Sequence, residues 1–224
     1  MDRESYFHTL YPFQDAVLAA IAGLETEFYL TGGTAASRGY LGHRFSEDLD
    51  LFVSDDARFG LWSERLIEGL GARPGWRIEV TLREARFVRF SVIAHIPLKI
   101  ELVNDVPSHL GEIVKHPVLG RLDSAENILA NKITALADRQ EPKDLADIWG
   151  FCCGRGMPIA GALEGAHSKA AGLFPVDLAR ILLSVGRADW EVVRWIDAPE
   201  PERFVNDLRR LGEELLLINP DGTP

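Results

Sequence analysis

Apolar residues recur at helical spacing over residues 13–24 (FQDAVLAAIAGL), and the next apolar run, EFYLT at 27–31, is short and β-prone. Residues 34–41 (TAASRGYL) predict a short helix opened by Gly32-Gly33, with Thr34 placed to cap it. The period then changes. DLDLFV at 48–53 alternates strictly, which predicts a strand, and LWSERLIEGL at 61–70 returns to an amphipathic helix. RIEVTL (77–82), RFVRFSVI (86–93) and LKIELV (98–103) predict three more strands, the first two joined as a hairpin through residues 83–85. From about residue 120 the pattern is helical: 124–139, 143–152 entered through Pro142, 176–185, 190–196 and 201–218. GRGMPIAG (154–161) reads as a loop and NPDGTP (219–224) as a frayed tail. This order predicts an α/β (α+β) fold, with a mostly antiparallel or mixed sheet and flanking helices in residues 1–120 and a helical C-terminal domain over 121–224.

Successive side chains on a strand point to opposite faces, so Leu49, Leu51 and Val53 share one face and Asp48, Asp50 and Phe52 the other. In LKIELV, Leu98, Ile100 and Leu102 oppose Lys99, Glu101 and Val103. If the two strands pair with their apolar faces together, Glu101 comes to the side of Asp48 and Asp50. Three carboxylates so close repel, and one would take up a proton unless a cation intervenes. Mg²⁺ suits such a place, because it binds through one or two carboxylates plus waters and substrate phosphates. Two such ions can clamp the attacking and leaving oxygens of a phosphoryl displacement. A lone D-x-D is more often a solvated acidic edge; Glu101 is what raises it to a candidate site.

Glycine lets the backbone approach a ligand closely, and amides at a helix start favour phosphate oxygens. For Gly32-Gly33 alone, a tight strand-to-helix turn is the better explanation. Here, though, a helix, a basic turn (His43, Arg44) and the D-x-D follow. Further on, Ile128, Lys132 and Leu136 lie four apart, on one helical stripe with Leu129 and Ile133. Lys132 therefore faces the core side, where a lysine needs a partner. It either snorkels to the rim or reaches a cleft and binds a phosphate as a point charge. Asp144 opens the next helix, where the dipole suits a carboxylate. Asp147 follows beside the stripe of Leu145, Ile148, Trp149 and Cys152.

A chain of 224 residues, 46% apolar and 26% charged, can bury a sizeable core without staples. Its net charge of −10 argues against a broad electrostatic footprint on nucleic acid. A local one survives: Arg73, Arg77, Arg83, Arg86 and Arg89 stand against only Glu79 and Glu84 within 73–89, and such an edge could track an RNA backbone. Charges guarding a solvated hairpin explain it equally. The only cysteines, Cys152 and Cys153, are adjacent and rarely bridge, which points to a reducing, cytoplasmic compartment. No run reaches the roughly 20 apolar residues of a membrane helix, and the first residues lack a signal-peptide core. The six histidines (8, 43, 95, 109, 116, 167) lack ligand spacing, which weighs against a metal-dependent phosphohydrolase.

The glycine pair, helix, basic turn and D-x-D together resemble the nucleotidyltransferase superfamily. The string GGTAASRGYLGHRFSEDLDLFV (32–53) resembles the AbiEii/AbiGii abortive-infection toxin family in particular, with its GGTAL-like start and SEDLDLF-like end; Ala36 stands where leucine is usual. Lys132 followed by PKDLADIW (142–149) is similar to that family's later lysine and K/R-D-x-x-D motifs. The resemblance implies a nucleotidyltransferase-like sheet, with Gly32, Gly33 and Thr34 near a triphosphate. Asp48 and Asp50 would be catalytic metal ligands and Glu101 the third carboxylate. Lys132 would contact the nucleotide, and Arg139 and Lys143 would be phosphate contacts. Asp144 would be a base or the structural partner of an active-site cation. It further implies NTP as substrate, one or two Mg²⁺ ions, an RNA acceptor such as tRNA, and a cognate antitoxin. Transfer to a small-molecule acceptor, as in antibiotic-modifying nucleotidyltransferases, is the enzymatic rival. A non-catalytic nucleotide-binding interaction module is another, against which the intact carboxylate set argues. Residues 155–224 match no motif.

Overall fold

The computed structural model describes residues 2–217, so the last residue of the expected 201–218 helix and the tail NPDGTP lie outside the described residues. The chain forms two compact units, Met1–Ala35 with Ser46–Asp123, and Ala36–Phe45 with Ser124–Pro224. A split at 120/121 treats both halves as continuous. Instead, residues 36–45 group with the C-terminal unit, where backbone bonds hold them: Phe45 N–H donates to Arg194 C=O (2.8 Å) and Ile196 N–H to His43 C=O (2.8 Å).

The first unit is a seven-stranded mixed sheet. Its strands are β1 (Tyr29–Thr31), β2 (Leu49–Ser54), β3 (Arg77–Arg83), β4 (Phe87–Ile93), β5 (Pro97–Asp105), β6 (Val114–His116) and β7 (Gly120–Leu122), in the order β3-β4-β5-β2-β1-β7-β6. β3 and β4 form the expected antiparallel hairpin, while β2 and β5 run parallel. The alternation is realised in the burial. Leu49, Leu51 and Val53, like Leu98, Ile100 and Leu102, are buried, and the residues between them are half-buried. The helices α1 (Tyr11–Ala22) and α2 (Phe59–Gly71) supply Val17, Leu18, Trp62, Leu66 and Leu70 to the same core. Phe28 joins strand to helix through edge contacts with Phe59 (6.0 Å) and Trp62 (6.4 Å). Each large apolar side chain so buried stabilises the fold by roughly 1.5–3 kcal/mol. β6 and β7 escape the sequence pattern because three residues are too few to show a period.

The second unit is helical: α3 (Ala125–Arg139), α4 (Pro142–Trp149), α5 (Ile159–His167), α6 (Pro175–Ser184) and α7 (Pro201–Leu216). Ser124 caps α3 by accepting from Asn127 N–H (3.0 Å). Gln140, at φ 49°, ends it, and Pro142 starts α4. Gly212 brings α7 close to α6, since a Cβ there would sit 3.1 Å from Ala179 C=O. The expected loop 154–161 instead runs into α5, whose two glycines weaken its helical signature. The expected 190–196 helix stops at Glu191. Beyond it, Trp195 is drawn into a bridge with Arg44 and packs on Trp149 (6.3 Å) and Phe204 (5.5 Å).

Candidate active site

Strand register assembles the carboxylates. Thr31 on β1 is paired with Asp50 on β2, and Asp50 with Glu101 on β5, which faces Arg89 on β4. Side chains of directly paired residues share a face, so these four form a row on one side of the sheet, buried at Thr31 and half-exposed from Asp50 to Arg89. Asp48, just before β2, joins them through Lys99, whose Nζ lies 2.7 Å from Asp48 Oδ2 and 3.4 Å from Glu101 Oε1. Arg89 Nε donates to the same Glu101 oxygen (2.8 Å). Burial works against the Lys99 ammonium, but the hydrogen bond and charge of Asp48, with Glu101, outweigh it and raise its pKa above the ordinary lysine value.

The glycine turn is built against this row. Gly32 has φ +66°, and a Cβ placed on it would lie 2.1 Å from Asp50 Oδ2. Glycine here serves two ends: it takes a left-handed backbone and leaves room for the aspartate. Gly32 to Leu41 is helical, opening α-helical and widening to a π-helix from Ala35. Thr34 is fully buried. Its hydroxyl donates to Asp48 C=O (2.5 Å) and meets Ser46 Oγ (2.9 Å), so it ties the turn to the start of β2. Its side chain is spent on that tie.

The later motif residues come together inside the second unit. Lys132 is buried, with Nζ 2.8 Å from Asp144 Oδ1 and 2.8 Å from Asp147 Oδ2. Arg44 clamps Asp147 with two bonds of 2.7 Å, and Arg139 binds Asp144 at 2.8 and 3.1 Å. His43 Nε2 lies 3.1 Å from Asp147 Oδ1 but out of line for a hydrogen bond. Burial opposes ionisation of both aspartates. The charges of Arg44 and Lys132 nevertheless hold Asp147 well below the usual carboxylate range, and Lys132 with Arg139 lowers Asp144. Lys132 thus turns two of its three N–H bonds to aspartates inside the second unit. Lys143 is exposed and pairs with Glu141 (2.7 Å). The basic turn is thus an anchor: Arg44 is part of this buried hub.

The pattern of the nucleotidyl transferase AbiEii toxin, type IV TA system, matches residues 16–163. The chain belongs to the AbiEii nucleotidyltransferase toxin family. Several solved structures share the fold, JHP933 and MenT4 among them. JHP933 from Helicobacter pylori is 20% identical, with TM-score 0.62 over 96% of this chain and 93% of that one. MenT4, a nucleotidyltransferase toxin from Mycobacterium tuberculosis H37Rv, is 18% identical, with TM-score 0.62 over 99% and 88%. No curated protein sequence matches significantly.

On this AbiEii scaffold, the donors around Asp48, Asp50 and Glu101 are hard oxygens, the chemistry Mg²⁺ requires. Among the described residues no three Asp, Glu, His or Cys side chains close on one point as a full cage. A half-shell of two carboxylates, completed by water and substrate phosphate, is what Mg²⁺ uses, and in that sense the residues fit. Sequence reasoning passed over three neighbours. Lys99 and Arg89 were legible in principle, since both alternate onto the carboxylate face. His109 was not: its Nε2 meets the buried Asp123 (2.9 Å), which also accepts from Thr31 (2.5 Å), and nothing in the spacing links 31, 109 and 123. Of the five hairpin arginines, four are engaged by carboxylates: Arg77 by Glu79, Arg83 by Glu64, Arg86 by Asp55 and Arg89 by Glu101. No helix among the described residues is long and apolar enough to cross a membrane.

Proposed function

We infer that this AbiEii-family protein is the toxin of a toxin–antitoxin pair and transfers a nucleoside monophosphate from an NTP to a hydroxyl of an RNA such as tRNA. The observation that carries the reading is the row Thr31, Asp50, Glu101 in register beside a turn whose Gly32 leaves room only for Asp50. The Gly32-Gly33 amides meet the phosphate oxygens of the NTP. Asp48 and Asp50 would hold Mg²⁺, which when bound neutralises the triphosphate and the leaving pyrophosphate. Glu101 accepts the proton of the acceptor hydroxyl, whose oxygen attacks the α-phosphorus in line. The bond from that phosphorus to the bridging oxygen breaks, and pyrophosphate leaves with its electron pair. Most of the rate enhancement comes from positioning and charge. Asp144, fully buried and closed between Lys132 and Arg139 inside the second unit, acts as a structural partner of those cations.

The neutralised hairpin favours a second reading, transfer to a small hydroxyl compound, because paired arginines attract a phosphate backbone less. Calorimetric titration of each NTP in Mg²⁺, wild type beside Asp50→Asn, tests the site. Metal-dependent binding of an NTP, lost in the variant, is the expected result; equal binding by both would overturn the assignment. Pyrophosphate release dependent on added RNA, steeply reduced by salt, separates the two acceptors.

A further inference from the structure

Lys99 occupies the place where the proposed metal would be needed. Its ammonium bridges Asp48 Oδ2, one of the two acids assigned to the metal, and Glu101 Oε1, the acid assigned as proton acceptor, while Arg89 holds Glu101 from the other side. Two organic cations thus stand against three carboxylates (Asp48, Asp50 and Glu101) on one sheet face, and one negative charge is left over. They are not equally fixed. Arg89 also stacks over the Phe87 ring, 5.2 Å from its centroid. Both side chains are about equally exposed, 41% for Lys99 and 42% for Arg89, but Lys99 is a compact point charge on a flexible stem. An ammonium and a divalent cation compete for the same oxygens. Whichever leaves must find another anion, and the nearest new one is the substrate's triphosphate.

We propose that Lys99 is a positioning residue, the resident counter-cation of the acidic site. It holds Asp48 and Glu101 together before substrate arrives, gives up Asp48 to the incoming metal, and passes to the phosphates that come with it. The inference rests on the nucleotidyltransferase reading of the site. Its consequence is coupling: metal alone must displace a resident ammonium from Asp48, whereas metal with nucleotide brings the anion that receives Lys99. Metal and NTP should therefore bind far better together than apart, because of this one side chain.

The test is binding of Mn²⁺ to the full chain, followed by calorimetry or by the electron paramagnetic resonance of the free ion, first alone and then with a non-hydrolysable NTP analogue. Wild type, Lys99→Met, Lys99→Arg and Asp48→Asn are compared, each checked for folding by circular dichroism. Removing a unit charge this close should tighten binding of Mn²⁺ alone by about tenfold or more in Lys99→Met. The same variant should lose most of the further gain conferred by the analogue, and Lys99→Arg should behave as wild type. Mn²⁺ binding in Lys99→Met that is equal to or weaker than wild type, with Asp48→Asn still abolishing it, overturns the role of Lys99 and leaves the carboxylate site standing. Undiminished Mn²⁺ binding by Asp48→Asn overturns both.

Discussion

Gly32 and Asp50 share a space that one side chain fills: a Cβ on Gly32 would come within 2.1 Å of Asp50 Oδ2 and 2.9 Å of its Cγ. Gly32→Ala therefore does two things. It forces a residue with a Cβ into a left-handed backbone, at about 1–2 kcal/mol, and it pushes the aspartate out of the row. The expected outcome is a modest fall in the urea midpoint with nucleotidyl transfer lowered by on the order of 100-fold, as displacement of a catalytic group by about 1 Å does. Equal losses in stability and none in transfer would show that Asp50 works from elsewhere.

Thr34 offers a choice between two roles. If its hydroxyl serves Asp48, as the 2.5 Å bond to that carbonyl indicates, Thr34→Val removes a half-buried hydrogen bond and costs about 0.5–1.5 kcal/mol. Transfer then falls with stability, and Thr34→Ser restores both. If the hydroxyl served a phosphate, Thr34→Val would raise KM for the NTP and leave the unfolding curve where it was. Urea denaturation beside steady-state kinetics of the three proteins decides.

How far the sequence reached depended on the range of the interaction. The phase of DLDLFV and LKIELV placed Asp48, Asp50 and Glu101 on one side because a strand's period is two and local. Pairing β2 directly with β5 then brought Asp50 and Glu101 into register. The face of Lys132 was legible for the same reason, from its spacing to Ile128 and Leu136. Its partners were not. Asp144 and Asp147 are on the next helix, and Arg44 reaches Asp147 from 103 residues away. The basic turn stood in the sequence only as part of a motif, because a local reading has no way to pair Arg44 with a distant carboxylate. The grouping of 36–45 with the C-terminal unit was hidden likewise, carried by backbone bonds to residues 194–196.

The hub of Lys132, Asp144, Asp147 and Arg44 predicts strong, non-additive losses. Asp147→Asn leaves Arg44 and Lys132 buried beside a neutral amide, and breaking a buried pair in this way costs about 3–5 kcal/mol. Lys132→Met in that background should cost less than Lys132→Met alone, with a coupling of about 0.5–3 kcal/mol between the two sites. By contrast, Glu79→Gln, which loosens the exposed Arg77 pair, should change stability by less than about 1 kcal/mol. Urea unfolding of the single and double variants measures each quantity, and strict additivity at 132 and 147 would contradict the bridged geometry.

The same hub sets the pH dependence of stability, and the signs follow from the direction of each shift. Asp144 and Asp147 have folded pKa values below the ordinary 3.8, so the folded state binds fewer protons than the unfolded one. Their contribution is fully present above the unfolded value and is lost as pH falls through the lower folded values. Lys132 is shifted the other way: burial opposes its charge, but Asp147 and Asp144 raise it above 10.5. Its contribution is complete below 10.5 and is lost as pH rises through the folded value. Unfolding free energy should therefore be level through neutral pH and fall on both flanks. The decisive measurement is the difference between wild type and Asp147→Asn. It should be constant from about pH 5 to 9 and shrink steadily below about pH 4, because only the wild type has a carboxylate at 147 to protonate. A difference that stays constant down to the acid limit would mean that Asp147 carries no charge in the folded protein, and the pairing with Lys132 and Arg44 would fail with it.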